Sequence, residues 1–151
     1  MQETMLTEKV KVTNLAPWPV YFKRLQNLGD VEVQANSTIT LDRGEVEQQC
    51  YSGNVLFLGT DGHGAHAHLV INDKAIRDQF EIPDDQAVMT DDFLDKVFAY
   101  KTLASFSKKV KESTVRDYER HRLIDYIKRK KINDFEKVRF VEDLVGVKIQ
   151  M

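Results

Sequence analysis

The hydrophobic period changes at Glu81-Ile82-Pro83-Asp84-Asp85, and this change restricts the fold more than any other feature of the chain. Before it, apolar residues come in short runs separated by Gly, Asn, Asp and Pro, the spacing of half-buried strands and tight turns. After it, they recur at helical spacing. The dividing stretch is acidic and holds a proline, as a boundary does. The expected architecture is α+β: a small antiparallel β-barrel or sandwich with two short helices in residues 1–80, an acidic linker over 81–90, and a helical region over 91–151. A length of 151 residues suffices for one ordinary core, or for a small β domain with a helical extension.

Within the β part, Val10 and Val12 alternate with Lys9, Lys11 and Thr13, the pattern of a half-buried strand. Asn14 to Pro19 reads as a turn containing Trp18, and Pro19 can start a second strand through Val20, Tyr21 and Phe22. Gly29-Asp30 leads into Val31 to Val33, and Ala35-Asn36-Ser37 into Thr38 to Leu41. Asp42 and Glu45 have the form of a capping box for a short helix with Val46 and Cys50 inward, ending at Gly53. Val55 to Leu58 and Ala67 to Ile71 then flank a turn holding Gly59, Gly62 and Gly64, which predicts a hairpin that completes the sheet. Asn72-Asp73 caps a second short helix, with Ala75, Ile76 and Phe80 inward.

From Thr90 the residues Phe93, Val97, Tyr100, Ala104 and Val110 predict either one long helix or two joined near Lys101-Thr102. Asp91 and Asp92 suit its first turn, and Lys108, Lys109 and Lys111 its last. Ser113 or Thr114 is the expected cap of the next helix, whose core contacts are Val115, Tyr118, Leu123, Ile124 and Ile127. Asn133 to Glu136 reads as another capping box. It opens a final helix through Phe135, Val138, Val141 and Leu144, stopped by Gly146, after which Val147-Lys148-Ile149 alternates like a strand.

Several functional classes drop out at once. Cys50 is the single cysteine, which excludes an internal disulfide and any Cys-x-x-Cys zinc or redox site. No apolar run is long enough to cross a bilayer, so no membrane partner is expected. Met1 to Lys11 lacks a hydrophobic signal core, which predicts a protein made in the cytoplasm and not secreted. The charge is unevenly spread. Residues 1–73 carry 5 basic and 9 acidic side chains, 74–100 carry 3 and 7, and 101–151 carry 14 and 8. A basic last third joined to an acidic remainder suits an anionic partner or a head-to-tail contact between copies.

Three groups of residues are candidates for a site. On a strand, His66 and His68 would face the same way and could present two imidazoles to one metal, with His63 or Asp61 as a third ligand. A metal-dependent enzyme is therefore one alternative. No carboxylate follows at the spacing of a cupin-type strand pair, however, and the preferred reading makes these histidines exposed polar residues, with no metal, cofactor or catalytic group. The second group is Arg116, Arg120, Lys128, Arg129, Lys130 and Lys131, which could track a nucleic-acid backbone with Tyr118 and Tyr126 in support. Asp117, Glu119 and Asp125 are interleaved with them, and pairing along a solvated face is the simpler reading. The third is Trp18 with Tyr21, beside the proline turn, as aromatic contacts for a protein partner.

Val12-Thr13-Asn14, Trp18-Pro19-Val20-Tyr21-Phe22, Gly29-Asp30-Val31 and Ala35-Asn36-Ser37-Thr38-Ile39 together resemble the small β domains of tailed-phage virion proteins. Gln34 stands where proline is frequent in those turns. The resemblance covers the first half of the chain and rests on turn chemistry. It implies a structural or assembly protein of the head, neck or tail, without catalytic residues, that ends in the virion and works through contacts with itself or with other virion proteins.

Overall fold

The computed structural model describes residues 8–26, 28–83 and 88–149. The chain divides into two compact units, 1–87 and 88–151. Asp84 and Asp85, from the acidic stretch, lie outside the described residues.

Among its described residues the N-terminal unit holds five strands: β1 Lys9–Asn14, β2 Val20–Lys23, β3 Asp30–Val33, β4 Thr38–Asp42 and β5 Leu69–Ile71. In β1 the valines are buried and the lysines exposed, as the alternation requires. β1 is the centre of a three-stranded antiparallel sheet ordered β4-β1-β5, with Val12 opposite Ile39 on one edge and Ile71 on the other. β2 and β3 form a separate antiparallel pair in which Val20 faces Val33. Neither sheet closes into a barrel, contrary to one form of the expectation. The reason is valence. A strand has two edges, β4 and β5 occupy both edges of β1, and β2 and β3 are left to bond each other.

Among the described residues three helices complete this unit: α1 Arg43–Tyr51, α2 Val55–Leu58 and α3 Lys74–Gln79. The expected hairpin is absent, because Val55 to Leu58 forms a helical turn instead of a strand. A run of four apolar residues fits either period, and Asn54 decides it: its side chain accepts the Leu56 N–H at 3.0 Å, an N-cap bond. Phe57 is thereby buried edge-on to Phe22, ring centres 5.3 Å apart. The capping box at α1 also fails. Asp42 occupies the N-cap position without a side-chain cap bond and pairs with Lys9, while Glu45 turns inward. At α3, Asp73 accepts the Ile76 N–H at 3.0 Å and Ile76 is buried, but Ala75 is exposed.

The C-terminal unit is four helices: α4 Asp91–Phe98, α5 Leu103–Ser113, α6 Asp117–Lys130 and α7 Phe135–Val145. The Thr90 and Thr102 hydroxyls each cap a helix, accepting Phe93 N–H and Ser105 N–H at 3.2 Å, so the pattern from Thr90 is two helices. Leu94, Val97, Phe106, Val110, Leu123, Ile127 and Val141 are buried in one core. Lys137 is buried too. Its ammonium donates to the carbonyls of Phe98 and Tyr100, both at 2.6 Å, satisfying acceptors that the end of α4 leaves open. Five local expectations are corrected here. Neither Ser113 nor Thr114 caps α6: the cap is Arg116, whose N–H donates to Glu119 at 2.8 Å, and Val115 is exposed. The α7 cap is Asp134, one residue beyond Asn133. Phe135 faces outward over Arg139, since the first residue of a helix need not share the face set by the residues that follow. Residues 147–149 form no strand, and the Ile149 N–H instead donates to Glu142 at 2.8 Å.

Candidate functional site

The segment from Trp18 to Gly29 is built with more care than a surface loop needs. Asn14, fully buried at the end of β1, donates to the carbonyls of Trp18, Val33 and Gln34 at 2.9 to 3.2 Å and accepts the Ala16 N–H at 2.9 Å. One amide thus fixes the proline turn against the end of β3. On β2, Val20 and Phe22 point inward and Tyr21 outward. The Tyr21 hydroxyl donates to Glu32 across the strand pair at 3.0 Å, and that bond pushes the phenol pKa up.

Beyond β2 the chain turns, with Arg24 N–H bonded to the Gly29 carbonyl at 3.0 Å. Beneath the turn lies Glu45, 2% exposed. Its carboxylate accepts the N–H groups of Leu25 at 2.9 Å and Gln26 at 3.1 Å, and the Gln49 amide at 2.9 Å. Gln49 also donates to the Lys23 carbonyl at 2.8 Å, and its own oxygen accepts from Asn54 at 2.9 Å. A Cβ at Gly44 would meet only the end of the exposed Gln26 side chain, 2.7 Å away, which is free to shift. A buried carboxylate is unfavourable unless its hydrogen bonds are made, and here they hold the backbone of a loop. That loop displays Leu25 at 49% exposure and Leu28 at 98%.

The aromatic pair expected to contact a partner belongs to the same segment. Tyr21 is 61% exposed and Trp18 is 36% exposed. Leu25, Leu28 and the supporting Glu45 were not among the sequence candidates. The signal for the leucines was present, since apolar residues between two strands and outside both alternations have no core position to fill. Glu45 carried the opposite signal, that of a helix cap.

The histidines are arranged differently from a metal site. Neither His66 nor His68 lies on a strand. His66 takes a positive φ of 58° in a tight turn, and β5 starts only at Leu69. Asp61 is engaged by the turn itself, accepting the N–H groups of His63 at 2.8 Å and Ala65 at 3.1 Å. Among the described residues no group of three His, Cys, Asp or Glu side chains could hold a metal ion. Cys50 is buried in α1, and burial pushes its thiol up to about 12.

The basic residues of α6 divide in two. Arg120 pairs with Asp117 at 3.6 Å, and Arg129 with Asp125 at 2.7 Å and Asp91 at 3.0 Å. Arg122 is buried, bonded to Asp91 at 3.0 Å and to the Met89 carbonyl. Lys128, Lys130 and Lys131 are exposed around the C-terminal end of α6, where the helix dipole favours cations. The arginines expected to meet phosphate are therefore committed within the chain, except Arg116, which caps the helix through its backbone.

The Asp91 cluster has a pH signature. Hydrogen bonding to Arg129 holds the Asp91 carboxyl below its usual range. A carboxylate depressed in the folded state adds stability that is complete above its unfolded pKa of about 3.9, and lost as pH falls through the folded value. Asp91→Asn is expected to lower the urea midpoint of the C-terminal unit at neutral pH. The difference from wild type should narrow in acid, as pH falls through the depressed Asp91 pKa, below which both carry a neutral group. Far-ultraviolet circular dichroism at neutral and acid pH checks this. A gap that persists unchanged in acid would assign the effect to packing.

No family model, curated protein or solved structure matches this chain.

Proposed function

We propose that this protein is non-enzymatic and acts by docking to another protein chain through the segment Trp18 to Leu28. The observation that carries this reading is Leu28, 98% exposed, two residues beyond Gln26, whose N–H is held with that of Leu25 by a buried carboxylate. Exposed leucine on a floppy loop is unremarkable. Here, by contrast, the backbone at Leu25 and Gln26 is held by Glu45, which lowers the entropy that these residues lose on binding. Large apolar and aromatic side chains supply most of the energy at protein interfaces, and Trp18, Tyr21 and Leu25 lie on the same segment. The turn resemblance of the N-terminal half supports assembly of a phage particle as the setting. The partner is then a second copy or another virion component.

Sedimentation velocity over a wide concentration range tests the first of these partners. Wild type is expected to associate as concentration rises, and Leu25→Asp with Leu28→Asp to remain monomeric by weakening association at least tenfold, about 1.4 kcal/mol. If wild type is a monomer throughout and the double variant behaves identically, self-association through this loop is excluded.

A further inference from the structure

The arginines of α6 are neutralised within the chain, but the lysines of α5 are not. Lys101, just before α5, and Lys108 and Lys109, within it, line a shallow depression of about 430 Å³ together with Tyr100, Thr102, Ser105 and Glu112. Among the described residues, no carboxylate lies within ion-pair distance of any of these three lysines. Glu112 follows Lys108 by four positions, the order in which such a pair gains least, and the two are not joined. Lys109 is not loose: its ammonium rests over the Phe93 ring, 5.7 Å from the centre.

The geometry points to a binding site for single-stranded nucleic acid on this face, with Lys101, Lys108 and Lys109 on the phosphates and Tyr100 stacked against a base. Cations alone would suit any polyanion. Tyr100 separates the cases: its ring is 37% exposed at the rim of the depression, and an aromatic face beside lysines is the arrangement that engages unpaired bases. An acidic peptide has no use for that ring. Lys101 precedes the helix, and Lys108 and Lys109 follow on it, all three lining the same depression with Tyr100. Lysines without a bidentate fork or a buried acceptor contact the backbone and read no sequence, so binding should be indifferent to sequence.

The test is fluorescence anisotropy of a labelled ten-nucleotide oligothymidylate with the full chain, over a salt series. Wild type is expected to bind at low salt, with a log–log salt slope of roughly −2 for three phosphate contacts. The triple variant Lys101→Gln, Lys108→Gln, Lys109→Gln should bind at least about tenfold more weakly and lose most of that slope. Tyr100→Ala should lose about fivefold or more while keeping the slope, because stacking releases no counterions. Lys128→Gln with Lys130→Gln and Lys131→Gln should match wild type within about twofold, and polyglutamate should compete poorly. The four substituted residues of this face, Tyr100, Lys101, Lys108 and Lys109, are exposed or half-exposed, and a thermal melt confirms that each variant is folded. The proposal is overturned by absence of binding at low salt, by equal loss in the α6 triple variant, by a neutral Tyr100→Ala, or by polyglutamate competing as well as unlabelled oligonucleotide.

Discussion

Gly59→Ala is expected to destabilise the N-terminal unit by about 3 kcal/mol or more, enough to unfold a unit of ordinary marginal stability. Gly59 closes α2 with φ 69° and ψ −154°, a region open essentially to glycine alone. It also lies against backbone: a Cβ there would stand 2.0 Å from the Ala65 carbonyl oxygen and 2.8 Å from its carbon. That oxygen cannot swing away, because it accepts the Thr60 N–H at 2.8 Å. Gly62 is the control. Its φ is 80°, yet nothing lies within 4 Å of where its Cβ would be. Gly62→Ala therefore meets only the backbone penalty, about 1 kcal/mol. Urea unfolding followed by the fluorescence of Trp18, the one tryptophan, measures both. Equal losses in the two variants would show that the contact with Ala65 is unimportant.

Glu45→Ala should have the second-largest effect, expected at about 2–4 kcal/mol. It leaves the Leu25 and Gln26 N–H groups and the Gln49 amide without their acceptor, and a buried donor left unmet costs about 1–3 kcal/mol. The consequence for function is more specific than the loss of stability. Leu25 and Leu28 remain in the sequence, but the backbone that presents them is released, so association should weaken in conditions where the variant is still folded. Hydrogen exchange at the Leu25 amide should speed up well beyond the change seen at Val12, in the middle of the sheet. A variant that loses stability but keeps both slow exchange at Leu25 and wild-type association would disconnect Glu45 from the docking loop.

How far the sequence was legible depended on how local each cause was. Thr90, Thr102, Asp73 and Gly146 act on the residues next to them, and each does what its type suggests: three N-caps and a left-handed stop. The α+β class, the antiparallel strands and the C-terminal helices follow from period, which is also local. Pairing is not. Nothing near Leu69 says that it will lie beside Asn14, and the apolar run at Val55 was therefore assigned to a hairpin with the nearest available strand. Glu45 shows the same limit in the site. Three positions after Asp42 it looks like a cap, and only the return of residues 25 and 26 beneath it turns the carboxylate into a support. The arginines of α6 were misleading for that reason as well, since Asp91, which neutralises two of them, is more than thirty residues away in sequence.

The central position of β1 also governs the order of events during folding. It precedes the other described strands in the chain, but its two neighbours are β4 and β5, and the sheet is incomplete until Val12 has found Ile71. Each pairing closes a long loop before any of its contacts can form, and the second closes the longer one. In the C-terminal unit α4 to α7 follow one another with short connections. During synthesis, then, β1 is exposed from the start with both edges open. Lys9 and Lys11 on its outward face are the charges that keep such an edge from pairing with a neighbouring chain while it waits.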